Sequence, residues 1–224
     1  MIRLAIDTST MTQSIAVERD GELLAARTTR LRIGHSETLL PSIEATLQQL
    51  ELTIDDVDEI VCGLGPGSFT GVRIGLAFGL GVAAGKSIPL FGVDSMRAFL
   101  AYLPTRVPVA VALDARKSEV YGVIYDATED RHESLPASTY APEDFFHEVA
   151  SRKDQGIVCV GDGALTFASA FESYASAIEH IDTLRIPQAE GLLWAHKRGW
   201  SIAHTEQALE PRYIRPSDAE KNRP

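Results

Sequence analysis

Ile2-Arg3-Leu4-Ala5-Ile6-Asp7-Thr8-Ser9-Thr10 opens the chain, and near its middle Val111-Ala112-Leu113-Asp114-Ala115-Arg116 repeats the same outline. In each, a short apolar run stops at an aspartate, the pattern of a core strand whose end emerges into a polar setting. Ile15 and Val17 continue the first copy, and Leu23 and Leu24 follow Asp20-Gly21, a dipeptide suited to a hairpin turn. Three antiparallel strands are therefore predicted at the N-terminus. The second copy continues with a strand from Val120 to Tyr125. One lobe used twice explains both runs economically, the alternative being coincidence between two apolar strands that end in aspartate. Leu103-Pro104-Thr105-Arg106-Val107-Pro108 breaks every periodicity between them, which places lobes at 1–103 and 104–224.

Between these landmarks, Leu39, Leu40, Ile43, Leu47 and Leu50 recur at helical spacing, with Glu44, Gln48 and Gln49 off the stripe. Pro41 fits that helix only in its first turn or at a kink. Glu59 to Leu64 reads as a buried strand, a glycine-rich turn feeds a helix ending near Lys86, and Ile88 to Val93 reads as another strand, after which Asp94 or Ser95 can cap a helix. The later half is expected to run strand, Pro142-led helix, strand Ile157 to Val160, helix, and a closing helix around Leu192 to Ala203. Two lobes of mixed sheet, each opening with strand, aspartate and hairpin, point to an α/β class: a two-lobed actin-like fold with ribonuclease H-like mixed sheets flanked by helices, as in actin and the sugar kinases. In that architecture paired hairpins face one another across a nucleotide cleft. The fold alone does not establish an activity.

Composition narrows the function classes. With 45% hydrophobic and 23% charged residues over 224 positions, the chain is globular rather than disordered. The N-terminal apolar run reaches Asp7 too soon for a secretory signal, and Ile74 to Gly85, bounded by Arg73 and Lys86, falls far short of the roughly 20 residues that cross a bilayer. No membrane partner and a cytoplasmic location are expected. Cys62 and Cys159 lie in apolar runs without a CxxC pair and are read as reduced core thiols. A net charge of -10 gives no basis for nucleic acid binding by this chain alone. His35, His132, His147, His180, His196 and His204 contain neither an i, i+4 pair nor HExxH, and there is no GxSxG elbow, so neither a metal site nor a catalytic residue is assigned.

The most informative run is Gly65-Pro66-Gly67-Ser68-Phe69-Thr70-Gly71-Val72-Arg73-Ile74-Gly75. A glycine-rich turn before a helix can hold an anion, which makes Gly65, Gly67, Ser68 and Arg73, with Asp7, Thr8 and Ser9, a candidate anion or nucleotide loop. Pro66 offers no N–H, no lysine follows in the Walker position, and the hairpin after Asp7 lacks glycine. A tight strand-to-helix connection explains the glycines at least as well. In the helix that follows, Gly71, Gly75 and Gly79 share a face, and Ile74, Leu76, Phe78, Leu80 and Val82 leave Arg73 as the only charge before Lys86. Each interior glycine costs about 0.8 to 1 kcal/mol against alanine, so something must approach closely enough to offset it. Either the neighbouring helix or another subunit can supply that layer, and physics alone leaves the two even.

Leu4-Ala5-Ile6-Asp7-Thr8-Ser9, His35-Ser36-Glu37 with Leu39-Leu40-Pro41, Gly65 through Gly75, Leu113-Asp114-Ala115-Arg116, Glu119-Val120-Tyr121 and Pro211-Arg212-Tyr213-Ile214-Arg215 together resemble the TsaB (YeaZ) family over nearly the whole chain. The resemblance implies an actin-like, non-catalytic scaffold that pairs with a catalytic paralogue, TsaD, aided by the ATPase TsaE. Together they place a threonylcarbamoyl group on the adenosine beside the anticodon in tRNA. It also implies that ATP and metal belong to the partner subunits, that this chain carries no cofactor, and that it meets tRNA only through the complex. The paralogue has Val-Asn-His-Met-Glu-Gly-His, whose histidines hold the metal, where this chain has Val93-Asp94-Ser95-Met96-Arg97-Ala98-Phe99. The resemblance tips the glycine helix toward a partner, with Leu39, Leu40, Ile43, Leu47, Gly71, Gly75, Phe78 and Gly79 as the expected interface and a homodimer through the same patch when TsaD is absent. Gly75→Leu is then expected to block pairing and spare the fold. The alternatives are a small-molecule kinase or a glycoprotease-like metallohydrolase of the same fold. The tail from Pro211 to Pro224, with Arg212, Arg215, Lys221 and Arg223, is read as solvated.

Overall fold

The computed structural model describes residues 1–31, 34–103, 106–181, 188–205 and 207–215. The chain divides into two compact units, one of Met1–Ala101 with Pro187–Arg212 and one of Tyr102–Ile186 with Tyr213–Pro224.

In the first unit, β1 (Ile2–Asp7), β2 (Thr12–Arg19) and β3 (Glu22–Arg30) form the antiparallel ribbon expected from the alternation. Asp20 and Gly21 turn it with φ of 52° and 90°, the left-handed values that a two-residue turn between twisted strands requires. β4 (Glu59–Gly63) joins β1 in parallel, β5 (Leu90–Val93) joins β4 in parallel, and the short β11 (Ser201–Ala203) closes the edge antiparallel to β5. The order is β11-β5-β4-β1-β2-β3.

Because strand side chains alternate, β1 sends Leu4 and Ile6 to one face and Ala5 to the other. The first face is covered by α1 (His35–Gln49) and α2 (Phe69–Lys86), which bury Leu39, Ile43, Leu47 and Leu76 against Leu4, Ile6, Ile15, Val17 and Ile60. The second is lined by small residues, Ala5 and Ala16 with Val61, and α7 (Gln188–Lys197) lays Ala189, Leu192, Leu193 and Ala195 on it. The short α3 (Ser95–Ala98) starts at Asp94, whose carboxylate accepts from Met96 N at 2.8 Å.

The second unit repeats the plan. β6 (Val109–Asp114), β7 (Val120–Tyr125) and β8 (Glu133–Tyr140) are antiparallel, and β9 (Val158–Val160) and β10 (Glu179–Ile181) add in parallel beside β6. Its order, β8-β7-β6-β9-β10, matches β3-β2-β1-β4-β5 strand for strand. α4 (Pro142–Ala150), α5 (Gly163–Thr166) and α6 (Ala168–Ala175) flank a core of Phe145, Phe146, Val149, Ile124 and Ala112.

Three expectations are corrected. α1 carries Pro41 at its seventh position, which rules out the first-turn placement of that proline. The closing helix stops at Lys197, where Gly199 at φ 75° supplies the left-handed turn that ends helices, so Ser201–Ala203 is strand. That helix also belongs to the first unit and not to residues 104–224, because the face of β1, β2 and β4 that carries Ala5, Ala16 and Val61 would otherwise be bare.

Candidate functional site

At the end of β1, Asp7 is fully buried, and its carboxylate accepts from Ser9 N at 2.9 Å, Ser9 Oγ at 2.6 Å and Ser95 Oγ at 2.6 Å. Burial pushes its pKa above the usual carboxylate range, further than these hydrogen bonds draw it down. The loop after it is clasped by the start of α2. Thr8 Oγ1 donates to Gly71 O at 2.7 Å, Ser68 N donates to Ser9 O at 2.6 Å, and Ser68 Oγ caps the helix by accepting from Gly71 N at 3.2 Å. On the far side, Gly65 N donates to Ser95 Oγ at 3.0 Å, and His35 Nε2 lies 2.9 Å from Thr10 O.

The glycines serve this clasp. A Cβ at Gly67 would fall on the Ser9 carbonyl and one at Gly71 on the Thr8 carbonyl, while one at Gly75 would come 2.5 Å from Thr8 Oγ1 and one at Gly79 2.5 Å from Cys62 Sγ. The structure brings Asp7, Thr8, Ser9, Gly65, Gly67 and Ser68 of the candidate anion loop together, and the close approach of Ser9 and Thr8 to Gly67 and Gly71 accounts for those two glycines by packing. Arg73 is exposed, with its guanidinium 3.7 Å from the centre of the Phe69 ring.

The expected interface is corrected in the same way. Gly71, Gly75 and Gly79 face their own sheet, and Leu39, Ile43 and Leu47 are core. Of the eight residues, Leu40, half exposed, and Phe78, partly so, reach the surface. The outward side of α2 carries other residues: Arg73, Ala77, Gly81, Ala84 and Gly85 are exposed, flanked by partly exposed Ile74, Phe78 and Val82. A Cβ at Gly81 or Gly85 would meet nothing within 4 Å.

Ser95 and Phe99 are both fully buried, the first as the hydroxyl that links Asp7 to Gly65 and the second as a core ring. Among the described residues, no three His, Cys, Asp or Glu side chains gather as a metal site, and no helix is long and apolar enough to cross a membrane. Cys62 and Cys159 are free and buried, and burial pushes both thiols up to about 12.

Sequence reasoning missed two groups. Arg212 N donates to Leu64 O at 2.7 Å and its guanidinium pairs with Asp94, while Arg215 pairs with Glu119 at 2.5 Å and donates to Ala115 O at 2.8 Å. Arg212 and Arg215 thus tie the Pro-Arg-Tyr-Ile-Arg run to the fold, with Tyr213 exposed between them, where a solvated tail was expected; residues 216–224, Lys221 and Arg223 among them, lie outside the described residues. The second is a charged seam that fastens α7. Lys197 Nζ meets Glu18 at 2.6 Å, and His196 Nε2 meets Glu59 at 3.1 Å beside Arg3, which bonds both carboxylates. Burial raises the Glu59 pKa, but the bonds from His196 and Arg3 outweigh it and hold the carboxyl below its usual range.

Two sheets of one strand order, each opening with a hairpin after an aspartate, define the actin-like class. A solved structure of the ethanolamine utilization protein EutJ from Carboxydothermus hydrogenoformans shares this fold, with a TM-score of 0.51 at 14% identity over 86% of this chain and 89% of that one. A family model described as TsaD, tRNA N6-adenosine threonylcarbamoyltransferase, matches residues 29–195. The Escherichia coli tRNA threonylcarbamoyladenosine biosynthesis protein TsaB is 30% identical over 99% of this chain and 97% of its own length. A crystal structure of a Pseudomonas aeruginosa protein, described as similar to peptidase YeaZ, superposes with a TM-score of 0.72 at 28% identity over 96% of this chain and 99% of that one. The chain belongs to the TsaB (YeaZ) family.

Proposed function

We propose that the chain is a non-catalytic subunit of the machinery that makes threonylcarbamoyladenosine in tRNA, and that it works by pairing a catalytic TsaD-type paralogue to the outward face of α2. The role in this pathway comes from the name carried by its relatives. The pairing rests on one observation: the inner glycines of α2 are explained by contact with β1, β4 and the loop after Asp7, whereas Gly81 and Gly85 are not. Each outward glycine costs the helix about 0.8 to 1 kcal/mol without a contact from its own lobe to offset it. A second backbone approaching along Ala77, Gly81, Ala84 and Gly85 would make that use of glycine intelligible. TsaE joins the assembly in this reading, ATP and metal reside on the partners, tRNA is met through the complex, and the same face supports a homodimer when TsaD is absent.

Ala77→Glu tests it. The variant should keep the fold, because Ala77 is exposed, and should lose pairing with TsaD in size-exclusion chromatography together with tRNA modification by the reconstituted subunits. Undiminished pairing would remove α2 from the interface, and modification by the isolated chain would sink the non-catalytic reading.

A further inference from the structure

The hairpin between β6 and β7 holds a backbone conformation that its residues disfavour. Arg116, Lys117 and Ser118 all lie at left-handed φ, 62°, 53° and 60°, a region that residues with a Cβ seldom enter, and then singly. The matching hairpin between β1 and β2, residues 8–11, has no positive φ, so the plan shared by the two sheets does not demand it. Within the turn, Asp114 accepts from Arg116 N at 2.8 Å, Glu119 N donates to Arg116 O at 3.1 Å, and Ala115 N donates to Glu119 O at 3.0 Å. Strain of this kind persists only where the surroundings over-determine it. The tail supplies the further hold. The mostly buried guanidinium of Arg215 donates through Nη1 to the Glu119 carboxylate at 2.5 Å and through Nη2 to Ala115 O at 2.8 Å. One planar fork thus grips the turn at both ends, while Arg116, Lys117 and Ser118 between them are exposed.

We propose that residues 115–119 form a two-state loop and that Arg215 is its latch. With the guanidinium seated, the charge-assisted bonds to Glu119 and Ala115 O offset the left-handed strain. With it withdrawn, the strain relaxes and Arg116 and Lys117 move with the backbone. The position of the tail is thereby converted into the placement of two exposed cations at the end of β6. This latch involves neither α1 nor α2, so it stands independently of the pairing proposed above.

Limited trypsin digestion of the full chain tests it, because cleavage after Arg116 needs the turn to open and tracks the open population when reclosing is fast. Arg215→Ala should speed cleavage at Arg116, followed by mass spectrometry, about tenfold while other sites are cut at the wild-type rate. Glu119→Ala removes the latch from the loop side with the tail intact and should act alike, so a folding defect in one variant leaves the other to decide. Ser118→Gly places at that φ a residue that adopts it readily, and in the Arg215→Ala background it should reverse most of the acceleration. Wild-type cleavage in both single variants would overturn the latch. Acceleration spread over the whole chain would overturn it too, by making Arg215 a support of the fold at large, and acceleration that Ser118→Gly leaves untouched would show that no strain drives the opening.

Discussion

At the scale of the residue, Asp7 and Gly75 carry the sharpest consequences. The native state holds the Asp7 proton to higher pH than the unfolded chain, whose carboxylate titrates near 3.9. In the window above that value the folded form binds more protons, so stability falls as pH rises and the loss is complete above the folded pKa. Asp7→Asn should flatten this part of the profile: in urea titrations from pH 4 to pH 8, the wild type should lose stability relative to the variant as pH rises. A difference constant across that range would mean that Asp7 ionises as freely as a surface carboxylate. Gly75→Leu, expected from sequence to spare the fold, should instead damage it, because the added Cβ alone comes 2.5 Å from Thr8 Oγ1. Overpacking of this kind costs about 1 to 3 kcal/mol, and a melting temperature equal to wild type would contradict the clasp.

At the scale of the element, Gly81 is the complement of Gly75. A Cβ there meets nothing within 4 Å, so Gly81→Ala should raise stability by about 0.8 to 1 kcal/mol through helix propensity alone, read as a shifted denaturant midpoint with unchanged slope. The contrast marks the limit of what sequence made legible. Periodicity put Gly71, Gly75 and Gly79 on one face but could not tell which face meets the sheet, and close contact with β1 and β4 is what small residues permit. The β1 to β3 ribbon was readable because alternation and Asp20-Gly21 act locally. β11 was not, since three residues carry no period and its register comes from pairing with β5, far off in sequence. The seam of Arg3, Glu18, Glu59, His196 and Lys197 escaped for the same reason: its charges meet only once α7 lies on the sheet.

At the scale of the molecule, the first unit is built from both ends of the chain while the core of the second is continuous. Residues 1–103 supply a six-stranded sheet less β11, with α1 and α2 on one face, but the other face waits for Ala189, Leu192, Leu193 and Ala195. Burying a Leu side chain contributes about 1.5 to 3 kcal/mol, and domain stability is typically 5 to 15 kcal/mol in all, so losing two leucines and the seam that fastens them consumes much of it. A fragment of residues 1–103 should therefore aggregate or melt without a cooperative transition by circular dichroism. A peptide of residues 188–212 added in trans should restore cooperativity, and the double variant Leu192→Ala with Leu193→Ala in that peptide should abolish the rescue. The second core, Ala110 to Ile178, lies within residues 102–186, and that fragment should melt cooperatively without assistance. Cooperative melting of residues 1–103 alone would mean that the alanine-lined face does not need its helix, and the reading of α7 as part of the first unit would fail with it.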